Sequence, residues 1–162
     1  MASSTLPVRG TRPATLVLFG GLVAGTFDII YACVFLAMRR GVAAERVLQS
    51  VASGLLGKAA FEGGAATAAL GLALHYFIAT SMSFTYYLVA QRWAPLRERP
   101  VALGAAYGVL LFAIMNYVVL PLSRATTGKG DALSVSLSIL VHAFLIGVPI
   151  AIFTRRALVR PA

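Results

Sequence analysis

Asp28, His75, Asn116 and His142 are the four strongly polar side chains that interrupt the long apolar runs of this 162-residue chain. "GLVAGTFDIIYACVF" sets a carboxylate where hydrocarbon is expected. Three chemistries suit these residue types. As hydrogen-bonding groups they would bond across helices and fix the register of a bundle. As an acid beside two imidazoles they would exchange protons, and so serve transport or a proton relay. As ligands, His75 and His142 would hold a haem b axially, or with Asp28 form a 2-His-1-carboxylate metal site. The chain has no second His pair and no Cys cluster, so no cofactor is expected, with haem or metal at His75 and His142 left as the third reading. Cys33 is the single cysteine and reads as a small residue inside an apolar run.

The elements that would position these groups are membrane-spanning helices. The chain is 59% hydrophobic and 12% charged, whereas soluble domains carry about 25% charged residues. The apolar residues fall into four runs, at about 15–38, 64–90, 101–120 and 133–153, each near the roughly 20 residues that cross the hydrocarbon of a bilayer. The expected fold is a single all-α polytopic membrane domain over 1–162, with four transmembrane helices and one amphipathic interfacial helix between the first and second. That helix falls at about 42–58, with Val47, Leu48, Val51 and Leu55 on one side. Glu45, Arg46, Gln49, Ser50 and Ser53 lie on the other. Lys58 and Glu62, four apart, are expected to pair. Arg9 and Arg12 before the first run suggest a leader, but a run of this length reads as a retained span.

Depth and facing draw the four polar groups together. At about 1.5 Å per residue, Asp28 lies roughly 20 Å into the first span and Asn116 roughly 22 Å into the third. His75 and His142, on spans of the opposite direction, lie roughly 14–17 Å from the other face. In about 30 Å of hydrocarbon all four occupy one layer, to within about a helical turn. Gly21 and Gly25 form a G-x-x-x-G on the face that carries Asp28, and Gly104 and Gly108 form another on the face of Asn116. Gly71, in the small-residue stripe of the second span, is four residues before His75, and His142 follows Ser134 and Ser138 at intervals of four. These faces would pack inward, in a tight bundle, a homo-oligomer or a complex with another membrane protein. A lone Asp at a helix centre costs roughly 2.5–3.5 kcal/mol on insertion scales, so a partner is expected, His75 or His142.

Charge sets orientation and excludes other classes. The formal net charge is +9, but the basic residues flank the apolar runs without basic–aromatic interleaving, so nucleic-acid binding is not expected. Eight of them (Arg9, Arg12, Arg92, Arg97, Arg99, Arg155, Arg156, Arg160) fall on the side of the termini. Six (Arg39, Arg40, Arg46, Lys58, Arg124, Lys129) fall on the other. The positive-inside rule then puts both termini in the cytoplasm. Twelve Arg against two Lys, with abundant Ala, suggest a GC-rich bacterial genome and hence the inner membrane. Tyr86, Tyr87 and Trp93 would form an aromatic belt at the cytoplasmic end of the second span. Ser81, Ser83 and Ser123 lack a G-x-S-x-G context, and no phosphate loop surrounds Lys58 or Lys129, so neither serine-hydrolase nor phosphate-loop chemistry is expected and no catalytic residue is assigned. Pro149 would bend the fourth helix and leave the Leu145 carbonyl without its usual donor.

"GLVAGTFDII", "RVLQSVASGLLGKAAFEGGAATAALGLALH" and "MNYVVLPLS" resemble a group of uncharacterised small bacterial inner-membrane proteins, the YagU-like proteins. The resemblance covers most of 15–153. It implies a four-helix inner-membrane protein and brings no catalytic residues.

Overall fold

The computed structural model describes residues 12–125 and 130–159. Arg9, Lys129 and Arg160, counted above for orientation, lie outside them. The fold is all-α, with no strand among the described residues. Four helices are long and apolar enough to cross a membrane: Pro13–Arg40, Gly64–Arg92, Pro100–Leu122 and Ala132–Leu158.

The ends of these spans have local causes. Pro13 and Pro100 begin the first and third, where a missing N–H leaves no bond unmade. Gly41, at φ 64°, closes the first span in the left-handed region that favours glycine, and Arg39 and Arg40 sit against the negative end of its dipole. Asp131 caps the fourth span, its Oδ1 accepting the Ser134 N–H at 2.8 Å. Its Oδ2 accepts from Arg39 at 2.8 Å, which joins the end of the first span to the start of the fourth. Lys58 and Glu62 make no ion pair, since Arg39–Asp131 is the one such pair among the described residues.

The first span packs against both the second and the fourth, and the third packs against the fourth. Small residues carry both main crossings. A Cβ at Gly21 would lie 2.6 Å from the backbone of Thr80, and one at Gly25 would lie 3.0 Å from Ala79 Cβ. Across the third and fourth spans, a Cβ at Gly104 would lie 2.8 Å from the Gly147 carbonyl, and one at Gly108 would collide with the His142 carbonyl. Gly147, with Ala143 and Ala151 four residues to either side, is a packing position that no G-x-x-x-G spacing marks. The backbones of the second and third spans stay apart. Tyr107 bridges the gap, its hydroxyl donating to the Met82 carbonyl at 2.9 Å.

The short helix Ala44–Leu56 exists where the sequence places it, followed by the 3-10 turn Gly57–Phe61. Its facing corrects the expectation. Gln49 and Ser53, assigned to a polar outer side, are buried, while Leu55 and Leu56 are exposed. The helix docks on the second span because Gly71 offers no side chain, and a Cβ there would collide with the Leu48 carbonyl. Gln49 meets its polar need by donating to the Gly64 carbonyl at 3.1 Å. Tyr86 is likewise no belt residue: it is 1% exposed, and its hydroxyl donates to the Leu96 carbonyl at 2.9 Å.

Candidate functional site

The helix crossings leave a cavity of about 240 Å³ between the spans. Asp28, His75, Asn116 and His142, one from each span, all line it. Gly25 and Ala79 form part of its wall, and Val51 of the short helix also lines it.

None of the four bonds to another. The expected pairing of Asp28 with His75 or His142 is not made; each imidazole turns one ring nitrogen onto a backbone carbonyl instead. His75 Nε2 lies 2.8 Å from the Gly25 carbonyl, and His142 Nδ1 lies 2.9 Å from the Ser138 carbonyl. A carbonyl oxygen only accepts, so each of these ring nitrogens carries the proton and donates. Asn116 Nδ2 donates to the Phe112 carbonyl at 2.9 Å. Of these bonds only His75–Gly25 crosses between helices; the other two return to the residue's own helix, four positions back. An edge-on contact of the Phe112 and His142 rings, 5.4 Å between centroids, holds the second imidazole in place.

The bonding pattern leaves the cavity rich in acceptors. In its neutral form His75 keeps Nδ1 free, His142 keeps Nε2 free, and Asn116 keeps Oδ1. Asp28 has no hydrogen bond or ion pair among the described residues. Among the described residues the enclosed, unpaired side-chain polar atoms are Tyr31 Oη and Thr154 Oγ1, neither of which lines the cavity. The free atoms of Asp28, His75 and His142 are not so enclosed. No Lys or Arg lines the cavity. Among the described residues, no three His, Cys, Asp or Glu side chains group closely enough to hold a metal ion.

Two helical irregularities sit at this site. Met115–Val119 and His142–Gly147 are π-helical, with the Leu120 N–H reaching back to Met115 and the Val148 N–H to Ala143. Each ends two residues before a proline, Pro121 or Pro149. A proline offers no N–H to the carbonyl four residues behind it, and the carbonyls so affected, those of Tyr117 and Leu145, lie within these wide turns. Pro149, expected to bend the fourth helix, thus follows a wide turn, and Pro121 follows another. Asn116 and His142 lie in these wide turns, as do the cavity residues Met115 and Ile146. Such turns recur at functional sites. Sequence reasoning did not anticipate them, though the two prolines were the available signal.

Comparison with known protein families, characterised proteins and solved structures returned no match.

Proposed function

We propose that this chain is a small bacterial inner-membrane translocator that takes a proton or another cation at Asp28, with His75 and His142 as proton-exchanging neighbours and both termini cytoplasmic. The observation that carries this reading is the unpartnered Asp28 carboxylate in a cavity whose three other polar side chains have each turned a donor onto a backbone carbonyl. What remains facing one another chemically are acceptors, which complement a cation and not an anion. An intramembrane carboxylate is costly, and its retention without an ion pair favours a ligand as its partner.

The register-fixing role is favoured for His75 alone, through its bond to Gly25 of the first span. His142 and Asn116 bond within their own helices and would add little to register. The titratable groups that line the cavity are Asp28, His75 and His142.

The test is flux. Purified protein in proteoliposomes, with a pH-sensitive dye inside and an imposed gradient, should show proton movement that Asp28→Asn abolishes while helicity and assembly stay normal. Equal flux in the two proteins would refute the proposal.

A further inference from the structure

The polar cavity adjoins a second space. Ile78, Met82 and Met115 line both it and a larger hollow of about 730 Å³ between the second and third spans. On the second span this groove runs from Phe77 to Trp93, which at 1.5 Å per residue is about 24 Å. It therefore reaches from the level of His75 to the Arg92 end of that span. Its walls are apolar and aromatic, among them Tyr86, Trp93, Tyr107 and Leu110, with no Lys, Arg, Asp or Glu. Phe77, Trp93 and Leu110 are exposed, so the groove is open toward the lipid side of the bundle.

We propose that the ligand of the Asp28 site is a lipophilic amine: a monocation whose ammonium enters the polar cavity and whose apolar body fills the groove between the second and third spans. The inference rests on the cation reading above and names its substrate class. Charge complementarity selects the head. An ammonium offers N–H donors and positive charge to a carboxylate and three acceptors, whereas an anionic lipid would set like charge against Asp28. A neutral lipid would leave the carboxylate unpaired. Adjacency selects the tail, since Ile78, Met82 and Met115 border both the cavity and an apolar groove, which falls within the pocket range of about 300–1,000 Å³ that takes drug-sized ligands. The aromatic faces along the groove add attraction for a cation moving past them.

Trp93 is the one tryptophan of the chain and lines the groove, so its fluorescence reports occupancy. The full chain in phosphatidylcholine nanodiscs is titrated with dodecylammonium and with dodecanol, which shares the tail and lacks the charge. Dodecylammonium should give a saturable Trp93 change. Asp28→Asn should weaken it about ten-fold or more, the scale of a lost charge-assisted hydrogen bond, and leave dodecanol unaffected. Ala106→Phe, which fills the groove, should weaken both probes, and Asp28→Glu should retain the preference for the amine. Equal amine affinity in wild type and Asp28→Asn overturns the proposal, as does an Ala106→Phe protein that binds like wild type. Cross-linking that finds the groove covered by a second copy, undisplaced by dodecylammonium, also overturns it. Should Asp28→Asn fail to fold, the Ala106→Phe result decides. Asp28-dependent proton flux without amine selectivity sinks this inference and leaves the translocator standing; Asp28-dependent amine binding without any flux does the reverse.

Discussion

Gly108→Ala adds one methyl group at the crossing of the third and fourth spans, and the structure assigns it a cost. The new Cβ would collide with the His142 carbonyl oxygen and lie 2.7 Å from Ala143 Cα. Carbon atoms pack at about 3.5–4.0 Å, so the two helices must part by about 1 Å. Both obstructing groups are backbone, so no rotamer change relieves the contact. Gly104 and Gly147 share the crossing, and separation there loosens Leu111, Ile146 and Ala151, which are buried. Overpacking of this kind costs about 1–3 kcal/mol, and a backbone obstacle places Gly108→Ala toward the upper end. Replacing a helical glycine returns up to about 1 kcal/mol, which leaves a net loss of about 1–2 kcal/mol. Gly54→Ala is the control: its Cβ would meet Ser123 Cβ at 3.8 Å, an ordinary contact. That variant should gain about 0.5–1 kcal/mol. Equilibrium unfolding in mixed micelles with increasing SDS, followed by circular dichroism, measures both. A Gly108→Ala protein as stable as Gly54→Ala would refute the reasoning, because it would mean that the two spans do not approach at these atoms.

Three other outcomes follow from single contacts. Ser83 is fully buried and donates to the Val17 carbonyl of the first span at 2.7 Å; Ser83→Ala should cost about 0.5–1.5 kcal/mol in the same unfolding assay. The Ser134 N–H, with help from Arg39, holds the Asp131 carboxyl below the usual carboxylate range. Its contribution is therefore complete above the ordinary Asp range and is lost as pH falls through the lowered value. Asp131→Ser keeps a capping oxygen without a titrating group, so stability measured against pH should lose part of its acid limb; an unchanged profile contradicts this. Gly71→Leu should undock the short helix by colliding with Leu48, giving faster amide exchange over 44–56 with the spans intact, and unchanged exchange there would count against the docking.

Much of this organisation is written in local order. Hydropathy and the Arg, Pro and Gly punctuation locate the spans to within a few residues, because crossing hydrocarbon demands a long apolar helix whatever its neighbours. The rise per residue then sets depth, so the level of Asp28, His75, Asn116 and His142 is readable without knowing how the helices pack. Gly21, Gly25, Gly104 and Gly108 announce crossings through their spacing. Gly71 announces one too, but its partner is the short helix and not another span, and a spacing does not say which neighbour uses it.

What the tertiary structure decided is partnership. The sequence pairs Asp28 with an imidazole by chemical affinity; the fold turns His75 and His142 toward the Gly25 and Ser138 carbonyls, since unpaired donors between packed helices are themselves costly. It buries Gln49 and Ser53, which any amphipathic reading places outside, because Gly71 and the Gly64 carbonyl are there to receive that face. It also leaves the second and third spans apart, and so opens the groove beside the polar cavity. Depth along a helix is a local quantity fixed by covalent geometry. Rotation about its axis, and the identity of what it meets, depend on residues far away in the chain.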